Sequence, residues 1–168
     1  MKRTMAVLLA GTLLCAAPMA VWAGEKAHYI EGSVANLKKG AEGMTHADGE
    51  KNFVFESKEG ALNVPFERMT KLEFGLKSHW SVGYSILLGI HPKKVKDYAL
   101  TIGFKDEGGA DQAATFLLDK DRIFTTLINL QTRTNKDIDF EDKKACEYAR
   151  KTAPPGQIEM DCNKIAKK

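Results

Sequence analysis

The sequence has few of the residues from which a catalytic or metal centre is usually built. It contains three cysteines without CxxC spacing, and no two of its four histidines, His28, His46, His79 and His91, lie four residues apart. Zinc sites need cysteine or histidine ligands at short, regular spacing. The sequence therefore predicts no bound metal and no cofactor.

Long apolar runs are missing as well, since no segment reaches the about 20 apolar residues that a membrane-spanning helix needs. The apolar stretch from Met5 to Leu14 follows Lys2 and Arg3, and Val21 and Ala23 occupy positions −3 and −1 of a cleavage site after Ala23. This pattern is typical of a secretory signal peptide. We expect a signal peptide over residues 1–23 and an exported, soluble mature protein in the periplasm or outside the cell, without a transmembrane helix. Lipid attachment at Cys15 is disfavoured because Leu14, and not a small residue, precedes it.

Charge of one sign does not dominate the mature chain. Two of the 25 basic residues and none of the 22 acidic ones lie in the predicted signal peptide, which leaves 23 basic against 22 acidic residues. A near-neutral chain lacks the overall basicity typical of nucleic-acid-binding domains. We therefore expect no nucleic-acid partner, and the 145 residues that remain after residue 23 suit about one domain.

Cys146 and Cys162 are the two cysteines left after processing, and Pro154-Pro155-Gly156 between them favours a turn. An even pair in an oxidising compartment predicts a disulfide, which would contribute about 3 kcal/mol through loop closure. We expect a main domain over residues 24–140 and a disulfide-closed tail over 141–168. Short helices are expected in that tail at 142–151 and 161–167.

Alternating apolar residues predict a series of short strands between the signal peptide and residue 118. In the strand over residues 69–76, the period of two places Leu72, Phe74 and Leu76 on one buried face and Met69 on the other. Residues 97–118 predict a hairpin with Gly108-Gly109 at its turn. The full set of predicted strands covers residues 29–37, 42–46, 52–56, 61–65, 69–76, 97–104 and 112–118.

The period changes after residue 118, where Ile123, Phe124, Leu127, Ile128 and Leu130 mark one face of a helix. Asp119 is a suitable N-cap, and Asn135 suits the left-handed residue that follows a helix. The predicted fold is mainly β with one C-terminal helix. We expect a bent antiparallel sheet, or partly open barrel, capped by this amphipathic helix.

Two stretches carry a resemblance to a known group of domains. Residues 64–75, VPFERMTKLEFG, and residues 115–121, TFLLDKD, resemble small bacterial pleckstrin-homology-like (PH-like) domains over about residues 28–140. Arg133-Thr134-Asn135 stands where that group has an R-T-G ending. The resemblance implies a PH-like fold but no settled activity. Lipid-binding eukaryotic relatives use a basic cluster on the first hairpin, and Lys38 and Lys39 lie near such a turn here.

Residues 77–96 give the best candidate contact surface. Aromatic and aliphatic side chains are followed at once by lysines, a combination that suits shallow insertion into an anionic membrane surface. The alternative is a buried strand or crossover. We expect an exported non-enzymatic binding or interaction module of the bacterial cell envelope, with an unknown envelope protein or a lipid surface as partner. The candidate contact residues are Trp80, Tyr84, Ile86, Leu87, Leu88, Ile90, Lys93, Lys94 and Lys96.

Two other groups of residues resemble functional sites but have simpler interpretations. Ser85 with His79 or His91 could serve a small envelope hydrolase, but Leu87 replaces the second glycine of a nucleophile elbow. Asp106, Glu107 and Asp111 could bind calcium, although their spacing lacks the alternating ligands of a calcium loop. A solvated hairpin tip explains those carboxylates better.

Overall fold

The computed structural model describes residues 24–47, 49–80, 94–156, 160–162 and 165, so the predicted signal peptide lies outside the described residues. Eight strands and two α-helices make up the described regular structure, apart from two 3-10 turns. The strands are β1 (Glu25–Gly32), β2 (Glu42–His46), β3 (Asn52–Ser57), β4 (Gly60–Pro65), β5 (Met69–Trp80), β6 (Lys94–Lys105), β7 (Asp111–Leu118) and β8 (Ile138–Phe140). The helices are α1 (Ile123–Thr134) and α2 (Lys143–Lys151).

The strands form one sheet in the order β4-β3-β2-β1-β7-β6-β5-β8. Two antiparallel series, β1 to β4 and β5 to β7, meet where β1 pairs with β7. The predictions of a mainly β fold and of the β6–β7 hairpin are confirmed. The sequence did not predict β8, which pairs with β5 in the parallel direction over only three residues.

The sheet is strongly bent. Phe116 on β7 lies 5.5 Å from Phe53 and 5.0 Å from Phe55 on β3, measured between ring centroids. In a flat sheet β3 and β7 would be three strand spacings apart, about 14 Å. The register of β1 shifts between Tyr29 and Glu31, a bulge of the kind that lets a strand bend. The inner face of the bend holds the core.

Three strand predictions were wrong in detail. The first strand begins at Glu25 and ends at Gly32, not at residues 29 and 37. Met69 is buried on the same side as Leu72 because the pairing of β5 with β6 shifts register between Met69 and Lys71. The extra residue reverses the alternation at that point. Leu76 keeps the predicted face but is 42% exposed, because it lies beyond the covered part of the sheet.

α1 closes one side of the core with buried side chains that include Ile123, Phe124 and Leu127. Its predicted end is confirmed, since Asn135 adopts the left-handed conformation with φ of 51°. Asp119 was predicted to cap the helix, but it caps the short 3-10 turn that precedes α1. Asp119 Oδ1 accepts the Asp121 N–H at the start of a 3-10 turn (Lys120–Arg122), and α1 begins only after it.

The tail folds as predicted in two respects. Asp142 Oδ1 accepts the Ala145 N–H at 2.7 Å and starts α2, and Cys146 forms a disulfide with Cys162. The half-cystines are 0% and 2% exposed and share one apolar cluster with the sheet residues. The tail therefore contributes to the core of the sheet. Most of the second predicted tail helix, at 161–167, lies outside the described residues.

Candidate functional site

The β5–β6 hairpin extends well beyond the rest of the sheet. Its two strands pair continuously as far as Trp80 opposite Lys94. β7 pairs with β6 only from Leu100 to Lys105, and β8 pairs with β5 only up to Phe74. We call residues 75–80 and 94–99 the arm. Within the part of the chain that the structure describes, the arm has no further strand on either side.

Glu141 supports the base of the arm. Its carboxylate Oε2 accepts the Leu76 N–H at 2.6 Å, and its own N–H donates to the Phe74 carbonyl oxygen at 3.0 Å. Gly75 makes this close approach possible, because a Cβ at this position would lie 2.6 Å from the Glu141 Cβ. Glu141 thus accepts the Leu76 N–H, which would otherwise need a partner on a neighbouring strand.

An aromatic stack joins the arm to α2. The Tyr98 ring lies 5.9 Å from Phe74 and 4.3 Å from Tyr148 of α2, with both pairs stacked. Burial raises the pKa of Tyr98, and the nearby Asp142 carboxylate adds to this rise. Leu76, opposite Tyr98 on β6, is 42% exposed, so apolar surface continues past the stack.

The other face of the arm carries a histidine–carboxylate pair. His79 Nε2 lies 3.0 Å from Asp97 Oδ2, with the His79 side chain 13% exposed and that of Asp97 50% exposed. The sequence suggests His79 as a hydrolase base but does not point to Asp97, because the two residues are 18 positions apart. Only the pairing of β5 with β6 brings them together.

The predicted contact residues are only partly described. Trp80 and Lys94 are paired at the end of the arm, and Lys96 is exposed on β6. Ser78 on β5 is exposed too. The remaining candidates lie outside the described residues: Tyr84, Ser85, Ile86, Leu87, Leu88, Ile90, His91 and Lys93.

The candidate calcium residues lie at the β6–β7 turn, as the hairpin interpretation predicted. Asp106 Oδ1 accepts the Ala110 N–H at 2.9 Å and Oδ2 accepts from Gln112 Nε2 at 3.1 Å. These bonds lower the pKa of Asp106, with the backbone bond as the main cause. Asp111 pairs with Lys105 at 2.9 Å. The carboxylates thus serve the turn and do not converge on one point.

The histidines of the described ranges are spread over separate surfaces. His28 lies 3.7 Å from Glu42 across β1 and β2, and His46 lines a shallow groove of about 740 Å³ on the outside of β2 and β3. His79 lies on the arm. No three His, Cys, Asp or Glu side chains within the described ranges are grouped to hold a metal ion.

Charges on the outer face of β5 compensate one another. Glu73 lies between Lys71 at 2.9 Å and Lys77 at 3.3 Å. The hydrogen bond from Lys71 lowers the pKa of Glu73, and the same bond raises the pKa of Lys71. Lys71 also lies 3.6 Å from Asp139, so two carboxylates match the two lysines and this face presents paired charges.

Comparisons with protein-family models, curated proteins and solved structures found no match. Neither helix in the described ranges has the length and apolarity needed to cross a bilayer. The arm is therefore the structural feature from which a function can best be argued.

Proposed function

We propose that this chain is an exported, non-enzymatic, PH-like binding module of the bacterial cell envelope, and that it contacts a membrane surface through residues 77–96. The observation that carries the proposal is the arm. Its paired strands reach past β7 and β8, and the sequence that joins their ends is residues 81–93.

The chemistry of that joining sequence suits a bilayer interface. It contains Tyr84 and a group of aliphatic residues from Ile86 to Ile90, and Lys93, Lys94 and Lys96 follow. Amphipathic aromatic residues favour the headgroup region, aliphatic residues favour the acyl boundary, and lysines are attracted to anionic lipids. A sequence of this composition between β5 and β6 combines all three.

Export is supported by the predicted signal peptide and by the Cys146–Cys162 disulfide, since such bonds persist in oxidising compartments. The PH-like part of the proposal is supported by the element order. Two antiparallel strand series followed by one helix form a bent sheet closed by α1, in agreement with the expected arrangement.

Vesicle sedimentation tests the proposal. The mature chain should bind vesicles containing phosphatidylglycerol, should lose binding as salt rises, and should ignore uncharged phosphatidylcholine vesicles. Leu87→Asp should abolish binding and leave the thermal melt unchanged. Asn63→Asp, which adds the same charge at an exposed position of β4, should bind like the wild type. A wild type that ignores anionic vesicles, with Leu87→Asp unfolded, would contradict the proposal.

Export has its own test. N-terminal sequencing of secreted protein should begin at Gly24, after cleavage behind Ala23. A mature chain that starts at a lipid-modified Cys15 would contradict the predicted processing.

The His79–Asp97 pair favours a second candidate, a small envelope hydrolase centred on Ser85. In serine hydrolases a carboxylate bonds one imidazole nitrogen of the base and thereby orients the ring toward the serine. Asp97 supplies such a carboxylate to His79 at 3.0 Å, although on Nε2, whereas in the Ser-His-Asp arrangement the carboxylate bonds Nδ1. A screen with ester, phosphoester and peptide substrates tests this function, and turnover that disappears in Ser85→Ala would replace the binding proposal.

A further inference from the structure

The two long edges of the arm differ in how open they are to a further strand. A residue in a strand directs its backbone N–H and C=O to one edge, and successive residues alternate between the two edges. The Leu76 N–H donates to Glu141, and the Phe74 carbonyl oxygen accepts from it, on the side away from β6. The backbone groups of Ser78 and Trp80 therefore also face the outer edge of β5.

Lysines protect the other edge of the arm. By the pairing register, Lys94 and Lys96 direct their backbone groups outward from β6, and lysines at an edge disfavour the addition of a strand. The outward residues of β5 are Leu76, Ser78 and Trp80, and none of them is charged. Its register with β6 is regular along the arm, and no proline interrupts it. The β5 edge is therefore the more open of the two.

Apolar surface accompanies the open edge. Leu76 is 42% exposed, and Met44 on β2 is the other large apolar side chain that is exposed in the described ranges, at 37%. Ser78 is exposed and small, so the backbone of another strand can approach it. A strand added here would cover part of Leu76, and the burial of apolar area favours association.

The open edge is complementary to a second copy of itself. Antiparallel pairing of two β5 strands about a two-fold axis at Ser78 brings the two Ser78 residues opposite each other, where they exchange a pair of N–H···O bonds. The same register places Leu76 of one copy opposite Trp80 of the other, an aliphatic–aromatic pair of the kind that stabilises sheets. It also places Lys77 opposite His79 of the second copy.

The charges on this strand select that register. In each copy Lys77 lies 3.3 Å from Glu73, and His79 lies 3.0 Å from Asp97. Each lysine would therefore meet a histidine that already contacts a carboxylate. An axis one residue earlier would place the two Lys77 side chains opposite each other, and like charges at such positions are destabilising. This match of hydrogen-bond phase, apolar pairing and charge favours a second copy over a strand of unrelated sequence.

We propose that two copies of this chain form a two-fold dimer through antiparallel pairing of their β5 edges about Ser78. The two arms then form one continuous ribbon in the order β6-β5-β5-β6. Glu141, which accepts the Leu76 N–H in each copy, marks where the ribbon meets the rest of the sheet. The inference goes beyond the proposed function, because this dimer requires neither a membrane nor export.

Analytical ultracentrifugation of the mature chain over a range of concentrations measures the dimer. Ser78→Pro removes an N–H that points away from β6, so the hairpin keeps its own hydrogen bonds. The substitution should weaken the dimer by about 30-fold, because the symmetry removes two hydrogen bonds at once. The control Lys96→Pro removes an outward N–H from the protected edge and should dimerise like the wild type.

A second pair of variants leaves every backbone N–H in place. Leu76→Lys and Met44→Lys add the same charge at the two exposed apolar positions, so both proteins should melt like the wild type. Leu76→Lys should weaken the dimer by more than about tenfold, because a lysine on this edge disfavours pairing. Met44→Lys should leave the dimer unchanged.

Amide hydrogen exchange reads the edge directly. The Ser78 N–H should become protected as the protein concentration rises, and the Lys96 N–H should not. A wild type that stays monomeric at every concentration overturns the proposal. So does a dimer that survives Ser78→Pro and Leu76→Lys, or one that Lys96→Pro weakens equally. Protection of the Ser78 N–H already in the dilute monomer would show that another part of the same chain occupies the edge, which also overturns it.

Discussion

Removal of the Cys146–Cys162 disulfide should destabilise the whole sheet and not the tail alone. From the sequence, the tail is expected to loosen while the main domain keeps its own core. The structure changes that expectation, since both half-cystines are almost fully buried in the same apolar cluster as the sheet. Tail and sheet should therefore unfold together.

The magnitude follows from the loop that the bond closes. The cysteines are 16 residues apart, and the chain-entropy relation gives about 3 kcal/mol for a loop of this length. For a domain of about 150 residues, such a loss lowers Tm by about 6–12 °C. Alanine is the appropriate replacement, because a serine would add the cost of burying an unpaired hydroxyl.

The assay is urea unfolding of the mature chain and of Cys146→Ala/Cys162→Ala, followed by far-ultraviolet circular dichroism and by hydrogen exchange. A single transition is expected for both proteins, with protection lost from α2 and from β5 to β7 over the same range. Reducing agent should lower the stability of the wild type and leave the variant unchanged. Two separate transitions, with α2 exchanging while the strands stay protected, would refute the shared core.

Three further predictions test other parts of the structure. Gly75→Ala should lower the free energy of unfolding in urea by about 1–3 kcal/mol, because the added Cβ would overlap Glu141. The control Gly108→Ala, whose Cβ would make only an ordinary contact at 3.4 Å, should be close to neutral. Equal effects of the two substitutions would contradict the packing of Gly75 against Glu141. Phe116→Ala should cost about 3–5 kcal/mol, since Phe116 joins β3 to β7 across the bend; a loss below about 1 kcal/mol would contradict it. The pKa of Asp106 is lowered in the folded protein, so the Asp106 carboxylate stabilises the fold above its unfolded pKa of 3.8 and loses this effect as pH falls through its folded pKa. The difference in unfolding free energy between wild type and Asp106→Ala should therefore narrow over that acidic range. A difference that stays constant with pH would contradict the hydrogen bonds of the turn.

The strand series could be predicted from the sequence because one face of each strand is buried. β2 was predicted with its observed bounds, and β3, β4 and β7 to within one residue at each end. Asn135 was recognisable as a helix end because few residues tolerate its left-handed conformation. These features depend on local chemistry, which the sequence carries directly.

Features that depend on distant pairing could not be predicted. The bulge that buries Met69 leaves no mark in the alternation of Met69 to Leu76, and β8 is too short to show a period. The arm escaped prediction for a related reason. Ser78 and Lys96 are polar on the face that alternation would bury, so the apolar alternation ends before the pairing of the two strands does.

The two outer strands of the described sheet bear on self-association. A long, bare edge strand offers unpaired backbone groups to a second chain and promotes aggregation. Here β8 has only three residues, and the edge of β4 is partly occupied because Asn36 Nδ2 donates to the Ala61 carbonyl oxygen at 2.9 Å. Pro65, the last residue of β4, contributes no N–H to pairing. The edges at β4 and β8 therefore offer few free backbone groups for strand-by-strand growth, so the edges of the arm are the described places where a further strand could add.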